Sequence, residues 1–130
     1  MTIAMTADAM KTDDLADPPL RFDLLCHRVL DDREMALELL SAAVRRLDQD
    51  LADMRQAVNR GETKRARDLA HRLKGTAANL SAEPLRGVCS RLESAAAAEQ
   101  IEALGPCFGQ VELAAQCFCA AAQSLFASGN

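Results

Sequence analysis

"ARDLAHRLKGTAANLSAEPL", residues 66–85, holds one helix, its stop and the start of the next. Leu69, Leu73, Ala77 and Leu80 recur at spacings of three and four, the period of a single helical stripe. Pro84 then forces a break, because proline restricts the residue before it and fits a first helical turn. His71 lies off the stripe, which raises the question of why this helix shows an imidazole to water.

The same period extends outward in both directions. Upstream, Leu37, Leu40, Val44, Leu47, Leu51, Met54 and Val58 form a stripe that predicts a helix over 32–59. "DDRE" at 31–34 supplies an aspartate cap and early acids, both favourable at a helix N-terminus. Gly61 is placed to end this helix as a C′ residue, and the next should cover 63–80. Downstream, Leu85, Val88, Cys89, Leu92 and Ala96 predict a helix over 84–98. Leu104, Phe108, Val111, Ala115, Phe118, Ala122 and Leu125 predict one over 101–126, with Pro106 shifting its start or bending it. A short helix over 20–30 carries Phe22, Leu25 and Val29 on one side. No segment alternates with period two for long enough to be a strand. The expected fold is all-α: an antiparallel up-down four-helix bundle over 20–130 with a short extra N-terminal helix. Residues 1–19 lack periodicity and close on Pro18-Pro19, and they read as a mobile N-terminal tail.

Composition narrows the function classes. With 130 residues, 49% hydrophobic and 26% charged, the chain has a globular profile. No apolar run approaches the roughly 18–20 residues that span a bilayer, and no secretory signal is visible, so no membrane association and a cytoplasmic location are expected. A formal charge of −4, with no Trp, no Tyr and four Phe, argues against nucleic acid, which needs a basic face and stacking platforms. Gly-rich phosphate loops and the HExxH and G-x-S-x-G motifs are missing. The five cysteines follow no zinc spacing; Cys117 and Cys119 point in different directions on a helix, and Cys89, Cys107 and Cys117 sit among apolar residues. They read as small hydrophobes in a reducing compartment, with no metal and no cofactor expected.

On a wheel of about 100° per residue with Leu69 at zero, Leu80, Leu73, Ala66, Ala77 and Ala70 fall at roughly 20–100° and His71 near 200°. The imidazole must therefore look outward. One turn on are Lys74 and Gly75, one turn back is Arg67, and two turns away are Ala78 and Lys64. A glycine inside a helix costs about 1 kcal/mol relative to alanine. Gly75 with Ala78 leaves flat ground on which a partner's backbone could approach. Two readings fit: a bare surface histidine among solvated basic groups, or a phosphoryl acceptor. For the second, neutral imidazole is a nucleophile. A lysine at ~5 Å contributes roughly 1–3 kcal/mol of Coulomb stabilisation to the phosphate.

"AHRLKGTAANLSAEPLRGVCSRLE", residues 70–93, resembles the histidine-containing phosphotransfer (HPt) domains of bacterial phosphorelays through A-H-x-L-K-G, a small-residue run, N-L and a later L-E. The resemblance extends more loosely over 20–126. It implies that His71 is phosphorylated through Nε2, that Lys74 steadies the phosphoryl group and that Gly75 gives room to the incoming domain. Glu93 would accept a hydrogen bond from Nδ1–H and fix the tautomer that leaves Nε2 free. The family commonly has glycine after "NL", where this chain has Ser81.

The implied function is a phosphorelay intermediate. It would accept a phosphoryl group from the phosphoaspartate of one receiver domain and pass it to another, with receivers of response regulators and hybrid kinases as partners. Mg²⁺ would belong to the receiver, the chain would be a monomer, and Lys64, Arg67 and Ala78 would rim the docking surface. Three rivals remain. A dimerising kinase fragment usually shows an acid after the histidine, where Arg72 stands. A non-catalytic adaptor bundle would bind receiver or kinase domains without transfer. A metal enzyme using His27 and the cysteines has no spacing to recommend it.

Overall fold

The computed structural model describes residues 17–128 and, among them, five helices and no strand. The tail expected over 1–19 therefore falls almost wholly outside the described residues. The helices are α1 (Phe22–Arg28), α2 (Arg33–Asn59), α3 (Thr63–Asn79), α4 (Glu83–Ala97) and α5 (Ile101–Ser128).

Each boundary has a local cause. Asp32 caps α2, its Oδ1 accepting from the Met35 N–H at 3.0 Å. Gly61, at φ +66°, closes α2, with its N–H donating to the Val58 carbonyl and the Glu62 N–H donating to the Ala57 carbonyl. This pair of bonds is a Schellman stop, which favours a residue in the left-handed region. Pro84 occupies the first turn of α4. Pro106 lies inside α5 without moving its start, which stays at Ile101. The ring removes the hydrogen bond that its N–H would have given to the Glu102 carbonyl.

The long helices form a ring in which α2 and α4 each pack on both α3 and α5, leaving α3 and α5 diagonal to one another. Helix α1 packs on α2, and the Arg21 N–H donates to the Ser81 carbonyl at 3.0 Å, tying the start of α1 to the α3–α4 turn. The core is built around Leu25, Leu40, Met54, Leu92, Leu104, Val111 and Phe118, with no buried polar or charged residue among the described ones. Along α2 the deepest line is Ala36, Leu40, Leu47, Met54 and Ala57, while Leu37, Val44, Leu51 and Val58 are half-buried beside it. Large side chains and alanines share that line, Leu40, Leu47 and Met54 filling the interior between Ala36 and Ala57. The charged side chains of the described residues consequently all reach the surface.

Candidate functional site

Helix α3 buries Ala66, Ala70, Leu73 and Ala77. Those four contacts fix its rotation and turn His71 outward, with 68% of its side chain exposed. Helix α4 buries Cys89 and Leu92, which places the next residue, Glu93, at the α3–α4 seam. There it spans two functional groups. One oxygen, Oε2, lies 2.8 Å from His71 Nδ1, and the other, Oε1, lies 2.6 Å from Lys74 Nζ.

The protonation pattern follows. Lys74's hydrogen bond holds the Glu93 carboxyl below the usual carboxylate range, against the opposing effect of burial and with help from His71. An ionised carboxylate only accepts hydrogen bonds, so Nδ1 must be the donor. Nε2, on the other edge of the ring, then carries the lone pair. In the neutral ring the seam thus leaves Nε2 as the nitrogen with the free lone pair. It also parks Lys74, one turn along, on the carboxylate.

Gly75 is exposed, and a Cβ built there would meet nothing within 4 Å. Nothing inside the chain requires this glycine. Ala78 is half-buried on the same face. The basic rim is weaker than the wheel suggested, because Asp68 sits 3.2 Å from Lys64 Nζ and 3.6 Å from Arg67 Nε. The Lys64 hydrogen bond, aided by Arg67, holds Asp68 below the usual carboxylate range. Its i+4 spacing from Lys64 was the available signal. Arg72 faces α2 instead, 3.7 Å from Asp50; that pairing depends on helix packing and leaves no mark in local sequence.

Other nucleophiles are set apart from this face. Burial pushes the Cys89 thiol up to about 12, with Glu93 adding to the effect, so it stays protonated beneath the site. His27, on α1, lies 4.0 Å from Asp31. Among the described residues no group of three or more His, Cys, Asp or Glu side chains could hold a metal ion, and all five cysteines are free. A cleft of about 300 Å³ opens between α2 and α3, lined by Leu39, Arg46, Arg72 and Thr76, and His71 does not line it.

At the α3–α4 turn Ser81 stands at φ +60°, with its N–H donating to the Ala78 carbonyl and the Ala82 N–H to the Ala77 carbonyl. This repeats the Schellman stop seen at Gly61, here without glycine. The Ser81 hydroxyl is buried with no hydrogen-bond partner.

Fold and site define a helical bundle that exposes an oriented imidazole on open ground instead of enclosing it in a pocket. The Hpt domain family matches residues 38–123, more than half of the chain, and the chain belongs to that family. Hpt domains carry histidine phosphotransfer in phosphorelays and interact with receiver domains of response regulators and kinases. No curated protein and no solved structure matches the chain significantly. No helix among the described residues is long and apolar enough to cross a membrane.

Proposed function

We propose that this chain is a cytoplasmic phosphorelay intermediate whose His71 takes a phosphoryl group from a receiver phosphoaspartate and delivers it to a second receiver. The observation that carries this reading is the 2.8 Å contact between Glu93 and Nδ1 of an exposed histidine. In the forward step the Nε2 lone pair attacks phosphorus. The Nε2–P bond forms, the acyl-phosphate P–O bond breaks, and the aspartate leaves as a carboxylate. The ring, still protonated at Nδ1, gains positive charge, and the Glu93 carboxylate stabilises it. Lys74 is one helical turn from His71 on a flexible stem, so it can leave Glu93 for the phosphoryl oxygens. The receiver supplies Mg²⁺, and the reverse sequence loads the next aspartate.

The test is labelling from a phospho-receiver. His71→Gln should take up no label, with melting nearly unchanged because the ring is exposed, and the wild-type label should be acid-labile, as a phosphoramidate is. Label retained by His71→Gln, or lost only in His27→Gln, would refute the assignment.

A further inference from the structure

Helix α5 turns an uncharged face to solvent. From Ala103 to Ser128 the only charged residue is Glu112, and it is half-buried and paired with Arg55. The exposed positions include Gly109, Leu113, Gln116, Cys117, Ala120 and Ser124. Leu113 leaves 46% of its surface in water. The outward faces of α2 and α3, by contrast, carry charges of both signs on nearly every turn. Solvated helix faces ordinarily carry such charges.

We infer that this face pairs with the same face of a second copy, the two α5 helices lying antiparallel about a twofold axis near Gln116. At a twofold axis a surface meets itself, so a charge close to the axis would meet its like, and the uncharged stretch from Leu113 to Ala120 avoids that cost. Shape fits as well. With Gln116 near the axis, Leu113 falls opposite Ala120 of the second copy and Gly109 opposite Ser124. Large side chains then meet small ones, whereas a parallel pair would set Leu113 against Leu113. A Cβ at Gly109 would meet nothing within 4 Å inside the chain, so the glycine is free to let a second backbone approach. The Gln116 amides, each with donors and an acceptor, can bond one another across the axis.

The area sets the strength. In this register residues 105–128 of the helix overlap, ~36 Å of length in a strip ~10 Å wide, roughly 360 Å² per copy. The total of roughly 700 Å² is below the ~1,200 Å² of stable complexes, so the dimer is weak and reversible. Because α3 is diagonal to α5, His71 stays accessible in it, and the pairing does not depend on the phosphotransfer reading.

Sedimentation equilibrium of the full chain from about 10 µM to about 1 mM should show a monomer–dimer equilibrium with a dissociation constant on the order of 0.1 mM. Leu113→Glu should weaken it at least about tenfold. Gly109→Lys should also weaken it while raising the melting temperature, because glycine is the poorer helix former; a glycine with a purely internal role would not separate the two readouts. A short bis-maleimide should link two copies through Cys117, and Cys117→Ser should remove the product. A chain monomeric at every concentration, or a dimer indifferent to Leu113→Glu and Gly109→Lys, overturns the inference. So does a monomer in which Leu113→Glu slows phosphotransfer, since that assigns the face to another partner.

Discussion

Helices α3 and α5 lie diagonally across the bundle, and each shows water a glycine that its own packing does not need. Around Gly75 the neighbours are His71, Lys74, Arg67 and Asp68; around Gly109 they are Leu113, Gln116 and Cys117. The same backbone feature therefore sits in two chemistries. On α3 flat ground lies beside an exposed imidazole and a lysine, so under the proposed function close approach brings a reacting atom within reach. On α5 flat ground lies among neutral groups with no nucleophile but a thiol, so close approach yields only contact. An exposed glycine leaves room for close approach, and the side chains around it decide what such an approach could do.

The sharpest way to break this comparison is to fill both glycines. Gly75→Gln should slow transfer from a phospho-receiver by about a hundredfold, the scale on which a 1 Å misplacement acts. Gly109→Gln should leave transfer unchanged. Both should keep or raise melting stability, by at most about 1 kcal/mol, because each removes a helical glycine. Stopped-flow transfer and thermal melts on the same samples settle it. Equal transfer losses in both variants would end the distinction between the faces.

Glu93 gives the next largest effect. Glu93→Gln keeps an acceptor for Nδ1–H but removes the charge that stabilises the phosphorylated ring and holds Lys74. Transfer should slow by about tenfold, and more in Glu93→Ala, which also frees the tautomer. Stability has a pH signature. The folded carboxyl is held low, so its contribution is present above the ordinary carboxylate pKa and fades as pH falls through the lower folded value. At this partly exposed seam the contribution is on the order of 1 kcal/mol. The melting gap between wild type and Glu93→Gln should thus be constant near neutrality and close below about pH 4. A gap that widens in acid would contradict the ion pair.

The helices were legible because their signals are local. The stop at Gly61, the break at Pro84 and the apolar periods fall within a residue or two of the observed ends, α3 closing at Asn79 where 80 was expected. The expected helix over 20–30 shortens to Phe22–Arg28, since Leu30 and Asp31 take left-handed φ values of 58° and 62°. The outward turn of His71 was legible for the same reason. Both contacts that make the seam, Glu93 to His71 and Glu93 to Lys74, need α3 and α4 at one height. Periodicity says nothing about that height, and only the family resemblance suggested the first. The Lys74–Glu93 pair leaves no mark in local sequence, whereas the Asp68–Lys64 pair carries an i+4 signal.

Ser81 supplies a prediction about stability alone. A non-glycine residue in the left-handed region costs roughly 1–2 kcal/mol, and its buried hydroxyl has no partner. Ser81→Gly relieves both, against roughly 0.5–1 kcal/mol of added freedom in the unfolded chain. The net gain should be about 1 kcal/mol, read as a higher denaturant midpoint at unchanged slope. Transfer should not change, because Ser81 lies ten residues beyond His71, ~15 Å along the helix axis, and carries no charge. A loss of stability would mean that the hydroxyl finds a partner and that the turn is not strained.

Salt gives the smallest effect and divides the two faces most cleanly. Docking on α3 brings a partner toward Lys64, Arg67 and Lys74, so its rate should fall as salt screens them beyond about 8–10 Å. Asp68 already lies against Lys64 and Arg67, and Lys74 rests on Glu93. Little net charge is left to steer, and the decline from about 50 mM to about 500 mM salt should be only a fewfold, far short of a strongly steered pair. Arg67→Glu should lower the low-salt rate by a similar factor and flatten the salt dependence without shifting the melting temperature. From Ala103 to Ser128 α5 carries a single charge, Glu112, already paired with Arg55, so the association constant should hold nearly steady over the same range, or tighten slightly where sulfate replaces chloride. Transfer rates and sedimentation across one salt series would show one face responding and the other silent. A steep salt dependence of self-association would place charged residues in that contact and move it off α5.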